Sequence, residues 1–415
     1  MTLNAQIALV KFCMLSFIIC LSSCSSQSQI DDSLLRIDFS KFDSRKHLLA
    51  SEVVSEIEYV TLETSSNCLI GEAFTFFISE NYILTFSNSN CFLFSREGKF
   101  IRSIGQKGNG PSDYGGGSNY RVMIDEKSEM VYLILNFFEI VAYRITGEFV
   151  KKLTVNELSD KIKVNHRYIS FDFWKDNLFC AHINLSGKEQ YRFCIFTLEG
   201  EIIKLFPNNI FFDADRLRQI FLGGVYFSNE HIFFKQGYSD TIFRLSDTFE
   251  LVPAIVFDLP GKKIPENVRY QIRYDEFCYI QGISVFENYL FLKNSNNSYD
   301  YLYDLKNNRL IAFESDPLLR KVLPLPDGTL REFSLRGLKN DIDGGLPLLP
   351  AYASHIQNNQ QMVCVYQSYL LKEQLTEDHF ARCDIKDREA HKRLQSLLAN
   401  LDEEDNPVIM IATLK

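Results

Sequence analysis

The chain has 415 residues, 46% of them hydrophobic and 23% charged. That balance excludes an intrinsically disordered chain, which could not bury enough apolar surface to offset its ordering entropy. A formal net charge of −9 argues against nucleic acid as a partner, because phosphate-driven binding needs a basic surface.

Residues 1–23 read as a secretory signal. One charge, Lys11, precedes an apolar run of ten residues, Phe12 to Leu21. A membrane-spanning helix needs about 20 such residues, and a signal core about 7–15. The run ends in Leu21-Ser22-Ser23-Cys24, which resembles the bacterial lipobox. That resemblance implies cleavage before Cys24 and a diacylglycerol on its thiol, and hence an outer-membrane anchor facing the periplasm or the cell surface. An ordinary secretory signal with a chance cysteine is the competing reading. Residues 24–33 are then a polar tether, and residues 34–415 the folded domain.

Seven cysteines remain beyond Cys24: Cys68, Cys91, Cys180, Cys194, Cys278, Cys364 and Cys383. Their odd number prevents complete pairing, and no two form a C-x-x-C. They read as buried thiols, with or without a single disulfide, and not as a metal or redox site.

An internal repeat organises the domain. Phe94–Ile104, Tyr143–Leu153 and Phe196–Phe206 each run from an aromatic strand through a glycine turn into a second strand. Their glycines, Gly98, Gly147 and Gly200, are 49 and 53 residues apart. Weaker versions occupy Thr241–Leu251 and Tyr301–Ile311. Two further short strands precede each hairpin, for example 73–78 and 82–86 in the first unit. Four strands per unit of about 50 residues is the period of a β-propeller blade. Five units lie between 68 and 315. A sixth combines 346–356, 361–367 and 407–414, interrupted by a helical insertion over about 368–403. Within it, Leu394, Leu397, Leu398 and Leu401 make an amphipathic stripe, which either packs on its own propeller or docks a partner. Glu56–Glu63 alternates as a strand and supplies the outer strand of the last blade. The fold class is therefore all-β: a six-bladed propeller of four-stranded blades, closed by its N- and C-terminal strands.

Glu58–Thr64 with Cys68-Leu69-Ile70-Gly71, the stretch Gly98–Tyr114, and the ending Asp405–Lys415 resemble the six-bladed β-propeller lipoproteins of Bacteroidetes, similar in form to NHL-repeat propellers. That resemblance spans nearly the whole chain. It implies a fold and a compartment, but no activity.

The most conspicuous loop is Gly105-Gln106-Lys107-Gly108-Asn109-Gly110-Pro111. It lacks the Gly-Lys-Ser/Thr of a P-loop and opens no helix, as a dinucleotide fingerprint would. It reads as the crossover from blade one to blade two. Its functional reading is ligand contact by Lys107, Asn109, Asp113 and Tyr114, with Gly115–Gly117 lending mobility. The seven histidines show no metal-ligand spacing, so neither a metal nor a cofactor is expected. No G-x-S-x-G is present, and no carboxylate spacing marks an acid/base pair. The leading expectation is a non-enzymatic, lipid-anchored envelope module that binds a protein, glycan or peptide. The alternative is a hydrolase or lyase with its site at the channel mouth.

Overall fold

The computed structural model describes residues 34–415 except 72–73, 116–119, 136–138, 166–168, 184–188, 209–210, 212–222, 229–230, 237–238, 264–276, 295–298, 315–319, 325–329, 335–336 and 350–359. The signal segment, Cys24 and the tether lie outside the described residues, as do Gly116, Gly117 and most of the expected strand at 346–356. Among the described residues, no helix is long and apolar enough to cross a membrane.

The chain enters through two short strands, β1 (Leu35–Asp38) and β2 (Asp43–Arg45), then a helical turn α1 (Ala50–Val53) and a long strand β3 (Val54–Thr61). Three four-stranded antiparallel blades follow. Blade one is β4 (Phe74–Ile78), β5 (Tyr82–Ser87), β6 (Asn90–Ser95) and β7 (Phe100–Ser103). Blade two is β8 (Tyr120–Asp125), β9 (Met130–Leu135), β10 (Glu139–Arg144) and β11 (Phe149–Thr154). Helix α2 (Val155–Ile162) leads to blade three: β12 (Ile169–Lys175), β13 (Leu178–Ile183), β14 (Tyr191–Thr197) and β15 (Ile202–Pro207).

Blade four is β16 (Gly223–Ser228), β17 (His231–Gln236), β18 (Thr241–Leu245) and β19 (Leu251–Asp258); blade five is β20 (Ile280–Val285), β21 (Tyr289–Asn294), β22 (Tyr299–Asp304) and β23 (Arg309–Glu314). Each carries an additional outer strand. β1 pairs in parallel with β19, Leu35 opposite Ile255, and β2 in parallel with β23, Asp43 opposite Ile311. A hairpin, β24 (Arg320–Pro324) and β25 (Leu330–Ser334), precedes blade six. Blade six orders β26 (Gln361–Tyr366), β27 (Val408–Leu414) and β3 side by side. The ring is a six-bladed propeller, and the expected closure occurs with Val408 opposite Thr61 and Ile409 opposite Val60. Between β26 and β27 lie α3 (Ser368–Gln374), α4 (Glu377–Phe380) and α5 (Arg388–Asn400).

The turn chemistry explains the repeat. Gly98, Gly147 and Gly200 hold φ of 86°, 89° and 72°, a region side-chain-bearing residues avoid. Packing explains why the strands read as apolar runs without alternation. Each blade is covered on both faces by its neighbours, so β9 is buried at all six positions. Six apolar clusters occupy the six seams. One joins Phe86 and Leu93 of blade one to Val131 and Leu133 of blade two; another joins Val60, Val363 and Ile411 of blade six to Phe76 and Phe94 of blade one. Each large side chain so buried contributes about 1.5–3 kcal/mol.

The amphipathic stripe of α5 faces inward. Leu394 and Leu401 are buried, and Leu397 and Leu398 pack against the cluster that joins blades five and six. Asp387 caps the helix, accepting from Glu389 N at 3.0 Å and Ala390 N at 2.9 Å. The insertion is thus packed on its own propeller. All seven described cysteines are free, six of them buried and Cys383 half-buried.

Candidate functional site

The crossover after β7 is braced from within and from blade two. Asp113 accepts from Gln106 Nε2 at 3.0 Å and from Gly110 N at 2.9 Å. Backbone bonds Tyr114 N to Gln106 O and Gly108 N to Tyr114 O, both 3.1 Å, close the loop on itself. Gly108 is required by closeness: a Cβ there would lie 2.1 Å from Asp113 Oδ2. The hydrogen bond from Gln106, with that from Gly110, holds the Asp113 carboxyl below its ordinary range. From blade two, Lys152 Nζ donates to the Asp113 carbonyl, Tyr143 Oη donates to Ser112 O at 2.7 Å, and Glu139 accepts from Gly115 N at 2.8 Å.

Tyr114 is 1% exposed. Its ring meets those of Phe86 and Tyr143 edge-on, and its hydroxyl donates to Ser89 O at 3.1 Å. Burial pushes that hydroxyl well above its ordinary pKa. The structure therefore divides the four residues singled out by the sequence. Asp113 and Tyr114 hold the loop, whereas Lys107 and Asn109 are exposed on it. The result is a pre-organised loop that offers an ammonium and an amide to solvent.

A second polar cluster, which sequence reasoning missed, lies where the chain enters blade six. Asp343 is 0% exposed. It accepts from Tyr59 Oη at 2.9 Å, Asn340 Nδ2 at 2.7 Å and Gly345 N at 2.8 Å. Burial outweighs those bonds and raises its carboxyl above the ordinary value. For Asp341, two residues away, burial also opposes charge, but Lys386 and Ser51 prevail and lower it. Lys386 Nζ lies 2.7 Å from its carboxylate and Ser51 Oγ 2.6 Å. His379 Nε2 sits 2.8 Å from Gly344 O, and His391 Nδ1 2.7 Å from Asp343 O. A carbonyl only accepts, so both nitrogens carry protons. Cys383 Sγ is 3.3 Å from that same His379 Nε2, which cannot then act as its base. This cluster is a joint tying α1, β3, α4 and α5 together. The signal was present in Asn340-Asp341-Ile342-Asp343-Gly344-Gly345, which concentrates turn-forming and acidic residues.

A third feature joins the first strands of blades two and three, where Arg121 pairs with Asp172. Asp172 is buried, and burial raises its carboxyl to about 6 despite the guanidinium. Among the described residues, no three His, Cys, Asp or Glu side chains are grouped to hold a metal ion.

The chain belongs to the family described as "Domain of unknown function (DUF4934)", which matches residues 34–413. Among solved structures, a protein of Bacteroides fragilis NCTC 9343 named as exported has a TM-score of 0.60 at 19% identity, over 92% of this chain and all of that one. That likeness concerns the fold. More distant are PorZ, a surface component of the type-IX secretion system of Porphyromonas gingivalis (TM-score 0.39, 9% identity, 74% of this chain and 36% of that one), and virginiamycin B lyase of Staphylococcus aureus (TM-score 0.37, 9% identity, 68% and 89%). No curated protein matches.

Proposed function

We propose that this chain is a lipid-anchored interaction module of the cell envelope, similar in form to NHL-repeat propellers, that presents the Gln106–Tyr114 loop to a protein, glycan or peptide. The observation that carries the reading is the division of labour within that loop. Asp113 and Tyr114 are spent on fixing the backbone, which leaves Lys107 and Asn109 exposed on a rigid frame, and pre-organisation lowers the entropy cost of binding. Their chemistry suits carbonyl, hydroxyl or carboxylate oxygens on the partner. The lipobox-like Leu21-Ser22-Ser23-Cys24 and the exported status named for the Bacteroides fragilis relative support an outer-membrane site.

Two measurements test this. Mass spectrometry of the mature protein is expected to find Cys24 first and acylated, with Cys24→Ala released from the membrane; an unmodified or uncleaved N-terminus would sink the anchor. Crosslinking in mildly solubilised envelopes is expected to recover a stoichiometric partner or glycan that Lys107→Ala/Asn109→Ala loses. Equal recovery by the double variant would remove the loop from the proposal.

The Arg121–Asp172 pair favours a second reading, a hydrolase or lyase acting at the channel mouth, because a carboxyl near pH 6 is poised for proton transfer. Turnover of a glycan or peptide library by the wild type and not by Asp172→Asn would establish it. Equal rates in both would end it.

A further inference from the structure

We infer that the cleft between blades four and five is a binding site for a small oxyanion group, held by the ammonium of Lys235. This site is separate from the loop of blades one and two. Lys235 lies on β17 and is 3% exposed. It lines a small cleft with Asp240, Lys263, Cys278, Tyr279 and Phe257. A buried ammonium is costly unless it is paired, and no oxygen among the described residues hydrogen-bonds this one. Its Nζ lies 5.5 Å from the Tyr279 ring centroid.

The obvious counter-charge is already engaged. Asp240 forms an ion pair with the exposed Lys263 at 2.6 Å, so the described lining of the cleft holds two ammonium groups and one carboxylate. Burial draws the Lys235 pKa down to about 8, while Asp240 holds it up, so the amine is mostly protonated at neutral pH. The Cys278 thiol has its pKa raised to about 11 by burial, so it adds no negative charge there. Among the described residues this leaves one positive charge unmatched, which one oxyanion would balance. The cleft has an accessible volume of about 20 Å³, little more than a water needs, so only the oxyanion's head enters it. A carboxylate and a phosphate share this chemistry, and the experiment separates them.

The test is thermal unfolding of the purified full chain at pH 7 and constant ionic strength, with chloride replaced by acetate or by inorganic phosphate. A saturable rise in Tm of about 3 °C is expected from at least one anion. Lys235→Met is expected to abolish that rise, while Lys99→Gln on blade one keeps it. Trace acetylation of the wild type, mapped by mass spectrometry, gives a readout independent of the variant's folding: the effective anion is expected to protect Lys235 at least fivefold and Lys99 not at all. A rise with acetate alone assigns a carboxylate ligand, and one with phosphate alone a phosphate. No rise with either anion, an equal rise in Lys235→Met, or unprotected Lys235 would each overturn the inference.

Discussion

The Gln106–Tyr114 loop and the Asn340–Gly345 turn use the same device, an aspartate that accepts a backbone N–H from a nearby glycine. Asp113 does so near the surface, Asp343 beneath the helical insertion. Hydrogen bonds dominate at the first and lower its pKa; desolvation dominates at the second and raises it. Access to water accounts for the difference, since a donor set of similar size stabilises the charge at one site and cannot fully replace hydration at the other. The surface loop keeps its frame while exposing two polar side chains, which suits recognition. The buried turn directs its polar atoms inward to tie four elements together, which suits ring closure.

The sharpest way to break that comparison is to remove the buried carboxylate. Asp343→Ala strands Tyr59 Oη and Gly345 N and leaves Asn340 Nδ2 only a 3.4 Å bond to Leu346 O, and a loss of about 3 kcal/mol is expected in urea unfolding. Gly345→Ala comes next. Its Cβ would lie 2.4 Å from Tyr59 Oη, and displacing that ring is expected to cost about 1–3 kcal/mol.

Titration then separates the two aspartates by sign. For Asp343 the raised native pKa means that its contribution is full below an unfolded value of about 3.9 and declines as pH rises through the native one. The stability gap between wild type and Asp343→Asn should therefore shrink as pH climbs from about 4. For Asp113 the lowered pKa puts its contribution above about pH 3.9, lost as pH falls through the native value. Its gap to Asp113→Asn should shrink on acidification. Matching slopes in the two series would refute the contrast. Smallest of all, Lys107→Ala and Asn109→Ala should leave stability within about 0.5 kcal/mol of wild type by thermal unfolding, because neither side chain holds the loop.

Much of the ring was legible because its signals are local. Gly98, Gly147 and Gly200 mark turns that need positive φ, and short strands flank them. The closing strand at Glu56–Glu63 was legible from its alternation. What escaped depends on distance or on signals that compete. β1 and β2 are three or four residues long and pair with strands more than two hundred residues away, so no turn announces them. Helix α2 carries a capping box, Thr154 with Glu157, a local cue obscured by the strand-like run before it. At the loop, residue type alone nominated Lys107, Asn109, Asp113 and Tyr114 equally. Only packing shows that two of them face inward. Asp343 was hidden because its partners Tyr59 and His391 come from opposite ends of the chain.

The parallel strands β1 and β2, with β3, also dictate an order of assembly. These segments are the first of the domain to leave the ribosome, yet their partners end at Asp258, Glu314 and Leu414. Blades one to three can form from neighbouring segments as they are synthesised. β1 and β2 must wait, unpaired, until blades four and five exist, and β3 until β27 has been made. Loss of β27 would therefore leave β3, made before every blade, without its hydrogen-bonding partner, so that the ring is sealed only when a strand held open since the start of the domain meets one made about 350 residues later.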